Sequence, residues 1–169
     1  GLEERFRVFA PGQRFAVGGL EVGTSAPSHD CACPVGYWAT DGTRKLVLCT
    51  DTGVVTPEAR EGVRGADTLI GEFNYDPEML RTGPYPFHLQ ERIRGNWGHL
   101  SNEMGGRLAA WAGAQGTRRV VLAHLSQGNN RPGLALEAAR RALGELGLGE
   151  KDVELVSAPR SEPTGWFEV

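Results

Sequence analysis

Lys45-Leu46-Val47-Leu48-Cys49-Thr50-Asp51-Thr52-Gly53 decides how this chain folds. An apolar run rich in Val and Leu, bounded by the turn residues Asp41-Gly42-Thr43 on one side and by Gly53 on the other, predicts a buried strand. Asp51 then stands at the tip of a rigid element, where a carboxylate can be held tightly enough to ligate a metal or act as a base. On this stretch alone it could equally well cap the strand and turn the chain.

Upstream, short runs at Arg5–Phe9, Arg14–Val17, Leu20–Val22 and Val35–Thr40 are separated by Pro11-Gly12, Gly18-Gly19 and a polar loop over 24–34, and predict a β meander. Downstream the pattern changes to strands alternating with helices. Thr56-Pro57-Glu58 is a helix start that should run to about Gly65, with a capping hydroxyl, a proline in the first turn and an acid behind it. Asp67–Phe73 and Arg118–Leu125 read as strands, and Pro86–Arg94, Ser101–Ala114 and Pro132–Leu146 as helices. Met104, Leu108, Trp111 and Ala112 supply an inward face for the second of these, and Leu134, Ala138, Ala139, Leu143 and Leu146 for the third. Val153–Ser157 and Gly165–Val169 are candidate edge strands. This order predicts a layered α/β sandwich.

With 169 residues, 40% of them apolar and 23% charged, the chain fits one globular domain, and its composition disfavours disordered and membrane-spanning classes. It has no basic-then-apolar leader pattern, and a cytoplasmic location is expected. The net charge of −3 gives no global attraction for nucleic acid, so such a partner must be drawn by a local patch or by bound metal. Cys31, Cys33 and Cys49 form no Cys-x-x-Cys pair and are expected to be reduced, mostly buried thiols rather than zinc ligands.

His29 in a loop entering a strand, Asp51 at a strand tip and His124 at another strand tip are candidate metal ligands. Imidazole with carboxylate suits zinc, manganese or iron, and a carboxylate can bridge two ions. Each histidine taken singly also fits an ordinary hydrogen-bonded role, and His88 has only a surface context.

The segments His29-Asp30, Pro34-Val35-Gly36-Tyr37, Thr50-Asp51-Thr52-Gly53, Glu72-Phe73-Asn74-Tyr75-Asp76, Gly83-Pro84-Tyr85-Pro86, Gly98-His99-Leu100-Ser101-Asn102-Glu103, Leu122-Ala123-His124-Leu125-Ser126 and Asn129-Asn130 occur in one order. In that order they resemble metallo-β-lactamase-fold hydrolases of the YycJ/WalJ type and, more distantly, ribonuclease Z. The resemblance covers nearly the whole chain. It implies an αββα sandwich with a dinuclear metal site (zinc or manganese) and phosphodiester hydrolysis, with DNA in preference to RNA as substrate and exonuclease action as the expected mode. By that resemblance, His29 and His124 are metal ligands and Asp51, 22 positions after His29, is the carboxylate shared by both ions. The resemblance likewise implies that His99 faces the scissile phosphate and that Glu72 is the buried acid that orients it. Ser101 and Asn102, with the first-turn amides of their helix, would cradle a phosphate. Arg92, Arg94 and Arg131 are candidate contacts to a nucleic acid backbone.

The family also carries an upstream His-x-His-x-Asp-His signature that supplies most ligands of the first ion. Here the four histidines stand at 29, 88, 99 and 124, and no such signature occurs. The chain is therefore expected to be the C-terminal part of one longer domain, 1–169 lacking the first strands and helices of the sandwich. Alone it should be inactive, with a partial or empty site, and either a homodimer or paired with the missing half. Two other functions are compatible with the residues. One is hydrolysis of a lactone, thioester or other small ester on the same fold, which His99 with Glu72 disfavours; the other is a metal-free interaction module.

Overall fold

A computed structural model describes residues 6 and 8–169. Twelve elements follow in order: β1 (Arg14–Val17), β2 (Leu20–Ser25), β3 (Gly36–Thr40), β4 (Lys45–Cys49), α1 (Pro57–Val63), β5 (Thr68–Glu72), α2 (Pro77–Thr82), α3 (Phe87–Arg94), α4 (Asn102–Ala114), β6 (Arg119–Ala123), α5 (Pro132–Glu145) and β7 (Glu154–Ser157). The seven strands form one sheet in sequence order. β1 to β4 pair antiparallel as a meander, whereas β4, β5, β6 and β7 pair parallel. The switch falls at the Lys45–Cys49 strand, because every later connection carries a helix across the sheet and returns the chain in the same direction.

Alternation along the strands sorts the two faces. Val47 and Cys49, Leu69 and Phe73, and Val120 and Leu122 point to one side, where they join Ala59 and Val63 of α1, Leu108 and Ala112 of α4, and Ala135, Ala139 and Leu143 of α5 in a single core. Leu69, Val120 and Leu122 are wholly buried, each worth about 1.5–3 kcal/mol of transfer free energy. The opposite face carries an apolar row in cross-strand register, Tyr37, Leu48, Ile70, Val121 and Val156. Along it exposure falls from 38% at Tyr37 and 36% at Leu48 to 4% at Val121.

Several expectations need correction. Gly165–Val169 is not a strand: Phe167 instead lies over the Arg119 guanidinium at 4.7 Å, and the Glu168 carbonyl accepts from Arg119 Nη1 at 2.6 Å. Pro159 and Pro163 on the approach have no N–H to offer a ladder. Leu146 is exposed, since α5 ends at Glu145 and Leu146 caps it from outside, and Ala135 takes the inward position. The short helix Pro77–Thr82 was not expected, although Asp76-Pro77-Glu78 repeats the Thr56-Pro57-Glu58 start: the Asp76 carboxylate accepts from the Met79 amide at 2.9 Å. Cys49 is buried as expected, but Cys31 and Cys33 are exposed, because the bend that follows His29 lies on the surface. The strand expected over 5–9 includes positions outside the described residues.

Parallel pairing brings the carboxyl ends of β4, β5 and β6 to one edge, the position at which α/β sheets gather their ligands. Asp51, Glu72 and His124 therefore arrive together. The loop between β2 and β3, which carries His29, opens at the same edge because β3 runs antiparallel to β4.

Candidate metal centre

Glu72 is the hub. Its side chain is fully buried, and Oε1 accepts from two imidazoles at once, His99 Nδ1 at 2.7 Å and His124 Nδ1 at 2.8 Å. Oε2 accepts from the Thr52 amide at 2.9 Å and more distantly from the Leu100 amide at 3.4 Å. Burial pushes this carboxyl up, but the hydrogen bonds from His124, His99 and Thr52 outweigh burial and hold it below the usual glutamate range. The hydrogen bond that His124 donates to Glu72 raises the His124 imidazole above its ordinary value against the opposing effect of burial, with the Asp51 charge adding to the rise. The Glu72 carboxylate fixes the orientation of the His99 ring through Nδ1. Its equal grip on His124, 52 positions away, carries no signal in the sequence.

With both Nδ1–H groups committed to Glu72, the free nitrogen of each ring is Nε2. His124 Nε2 faces Asp51 Oδ1 at 3.7 Å, and His29 Nε2 faces the same oxygen at 3.9 Å. His29 Nδ1 donates to the Gly98 carbonyl at 3.1 Å, which again leaves Nε2 for a ligand. Both separations are too long for hydrogen bonds. They are within the span of about 4.2 Å available to two ligands that share an ion at about 2.1 Å each. The donor set thus fits a divalent cation. His29, Asp51 and His99 bring ligand atoms within 4.8 Å of one another, as do Glu72, His99 and His124. The three rings stand in a row with His99 in the middle, 5.0 Å from His29 and 5.1 Å from His124.

Backbone strain marks the same two positions. Asp51 and His124 are the non-glycine residues with positive φ among the described residues, at 55° and 60°. Such left-handed conformations cost about 1–3 kcal/mol and persist where surrounding structure over-determines them. Asn74 does this at His124, donating from Nδ2 to the His124 carbonyl at 2.9 Å. Asn74 is fixed in turn by Asn130, whose Nδ2 donates to the Phe73 and Asn74 carbonyls at 2.7 and 3.2 Å and exchanges amide hydrogen bonds with Asn102 at 2.8 and 2.9 Å.

The loops interlock closely. Gly53 donates to the Ser28 carbonyl at 2.8 Å, and Ser28 Oγ donates to the Asn96 carbonyl at 2.7 Å. A Cβ at Gly53 would stand 2.4 Å from the Asn96 and Gly95 carbonyl oxygens, so only glycine lets the Asp51 loop pass beneath the segment that leads to His99.

Ser101 and Asn102 are turned inward. Ser101 is 6% exposed and its hydroxyl caps α4 through the Met104 amide at 3.2 Å; Asn102 is 2% exposed and paired with Asn130. Neither side chain borders the groove beside the histidines. Arg92 is held by Asp30 in a bidentate pair at 2.5 and 3.0 Å, and Arg94 pairs with Glu91. Arg131 donates to the Asn130 carbonyl, and His88 is exposed. That groove, about 690 Å³ in volume, is lined by His99, His124 and Arg92 together with residues to which the sequence assigns no role, among them Tyr85, Gln127 and Arg160. These last three lie in loops without a spacing signature.

A sheet edge that gathers imidazoles around a strand-tip carboxylate presents a donor set suited to divalent metal. Residues 2–125 match the Beta-lactamase superfamily domain, and the chain belongs to that family. Its architecture is the metallo-β-lactamase fold. It superposes on the metallo-β-lactamase fold protein YhfI from Bacillus subtilis with a TM-score of 0.64 at 20% identity, over 90% of this chain and 52% of that one. Zn(2+)-bound PqqB from Methylobacterium extorquens aligns over 90% of this chain and 49% of its own, with a TM-score of 0.54 at 22% identity. Among curated relatives, the chain is 37% identical over 142 residues to exodeoxyribonuclease YycJ of Bacillus anthracis, covering 84% of this chain and 54% of that protein. It is 34% identical over 142 residues to exodeoxyribonuclease WalJ of Streptococcus pneumoniae, covering 84% of this chain and 53% of the relative. The chain thus spans about half the length of the curated relatives it matches. Among the described residues, no helix is long and apolar enough to cross a membrane.

Proposed function

We propose that this chain supplies the C-terminal half of the active site of a metal-dependent phosphodiester hydrolase that degrades DNA. The observation that carries the reading is the shared Glu72 oxygen, which aims the Nε2 atoms of His99 and His124 outward at the edge where Asp51 and His29 converge. His29, Asp51 and His124 are the proposed ligands, with Asp51 shared between two divalent ions, zinc or manganese. When bound, the ions supply Lewis acidity toward a phosphoryl oxygen and lower the pKa of water.

The remaining chemistry belongs to the protein side chains. Glu72 Oε1 holds the His99 ring through Nδ1 by the 2.7 Å hydrogen bond and turns Nε2 toward the site, where that atom would pass a proton to a departing alkoxide. Hydrolysis of a carbonyl ester has less need of such a histidine directed at a phosphate. Three ligand side chains, one of them shared, do not complete two ion sites, and the proposed enzyme takes its remaining ligands from residues outside this chain. The half-exposed apolar row from Tyr37 to Ile70 is where the complementary sheet would pack, and the chain by itself should not turn over substrate.

The test is hydrolysis of linear DNA and of bis(p-nitrophenyl) phosphate by the intact natural protein with added manganese or zinc. The reading predicts cleavage of both, with a His99→Ala variant slowed at least 100-fold while still binding metal. Metal binding without cleavage of either phosphodiester would defeat it.

A further inference from the structure

The groove beside His99 and His124 has more in it than a metal centre requires. One wall is apolar and aromatic: Tyr85 precedes α3, and Leu89 and Ile93 follow on that helix. A second wall, Pro159 and Arg160, comes from the segment after β7, and Gln127 borders the same space. Tyr85 is held in place at both ends. Its carbonyl accepts from Gln90 Nε2 at 2.9 Å, and its ring lies beside the bare backbone of Gly128, where an added Cβ would stand 3.6 Å from the phenol oxygen.

The two arginines of the groove differ. Arg92 is neutralised by its bidentate pair with Asp30, whereas Arg160 forms no ion pair among the described residues and is exposed. It shares the lining of the groove with His124. A fixed aromatic face, an apolar wall and an uncompensated guanidinium around about 690 Å³ suit a ligand with a planar ring at one end and an anion at the other. A small ester would leave most of this volume empty.

We propose that this groove is a nucleotide subsite in which Tyr85 is the platform for a base and Arg160 the contact to a phosphate. The inference rests on the phosphodiesterase reading and deepens it, because it states how the polymer flanking the scissile bond is gripped. Stacking on Tyr85 tolerates any base, so the subsite holds the strand without selecting its sequence. Arg160 adds a contact that weakens with salt.

Binding in EDTA separates this inference from the hydrolysis on which it rests, since no turnover is needed. Fluorescence anisotropy would follow the intact natural protein with a labelled ten-residue oligothymidine and with an abasic strand of equal length. Tyr85→Ala should weaken oligothymidine binding on the order of tenfold and leave the abasic strand unchanged. Tyr85→Leu, which keeps the apolar bulk, should lose as much, and Tyr85→Phe should bind as the wild type does. Arg160→Ala should weaken both strands and reduce the slope of log Kd against log salt by about 0.7 to 1, and Arg160→Lys should restore that slope. Melting temperatures equal to that of the wild type identify the folded variants on which the comparison is made.

Equal effects of Tyr85→Ala and Tyr85→Leu on both strands, or none, would overturn the platform. An unchanged salt slope in Arg160→Ala would overturn the phosphate contact, and absence of binding by the wild type would overturn both. Binding that behaves as expected in an enzyme that cleaves no phosphodiester would keep the subsite and refute the hydrolase.

Discussion

Replacing Glu72 by glutamine changes one buried carboxylate oxygen into an NH2 group at nearly constant volume, and neither orientation of that amide preserves both the charge-assisted hydrogen bonds and the free Nε2 atoms. If the carbonyl keeps the place of Oε1, the new NH2 confronts the Thr52 amide at 2.9 Å and the Leu100 amide at 3.4 Å, donor against donor. If the side chain is flipped, the NH2 confronts His99 Nδ1 and His124 Nδ1. Both rings must then carry their protons on Nε2, the atom of His124 that faces Asp51. The first arrangement strands two buried donors; the second keeps the four contacts but exchanges charge-assisted hydrogen bonds for neutral ones and occupies the nitrogens a metal needs, so the metal-free protein should lose about 1–3 kcal/mol. For a domain of this size that is a drop in melting temperature of roughly 2–12 °C. Urea unfolding followed by circular dichroism measures the first quantity and calorimetry the second. Metal affinity, followed by isothermal titration, should fall about 10- to 100-fold, as when a metal-bound histidine loses its hydrogen-bonded partner. A Glu72→Gln protein within about 0.5 kcal/mol of the wild type, with unaltered affinity, would refute the hub.

In the metal-free protein the pH dependence follows from the same groups. Glu72, held below its ordinary 4.5, contributes stability that is present above that value and lost as pH falls through its folded value. His124, held above its ordinary 6.5, contributes stability that is present below that value and lost as pH rises through its folded value. Melting temperature against pH should therefore peak between these two values, and the peak should flatten in Glu72→Gln. Asn130→Ala strands the Phe73 carbonyl and the Asn102 amide, at a cost of about 2–4 kcal/mol in urea unfolding; Asn130→Asp should cost at least as much, since it faces a carboxylate toward carbonyl oxygens. With the Cys49 thiol pushed up by burial to about 12 and the other two cysteines exposed, a thiol-specific disulfide reagent should titrate two groups in the native protein and three after unfolding. Gly53→Ala should cost more than 2 kcal/mol, because its Cβ would meet backbone rather than a side chain able to move aside.

The parallel half of the sheet was legible because Val47, Leu69 and Val120 sit in apolar runs with turn residues at both ends, and because Thr56-Pro57 and Pro132 announce their helices. His29, Asp51 and His124 stood out as a polar side chain beside or at the end of such a run. What spacing could not show was convergence. That one carboxylate oxygen serves two histidines, 27 and 52 positions away, depends on parallel register across β4, β5 and β6. Ser101 and Asn102 misled for a related reason: a helix start looks the same in sequence whether its cap faces a groove or the interior. Asn102 faces inward because Asn130, 28 positions on, answers both of its amide hydrogen bonds. Tyr85 and Arg160 lie in loops, where no periodicity reports on which way a side chain points.

Metal stoichiometry of the intact natural protein and its ligand variants bears most directly on the site. Asp51 faces both His29 and His124 through a single oxygen at 3.9 and 3.7 Å, so it should serve both ions. Inductively coupled plasma mass spectrometry on equilibrium-dialysed protein should find two divalent ions per wild-type chain, one fewer in His29→Ala and in His124→Ala, and neither ion retained in Asp51→Ala. An Asp51→Ala protein that still holds two ions would contradict the shared carboxylate, and with it the arrangement of the site around the tip of the Lys45–Cys49 strand.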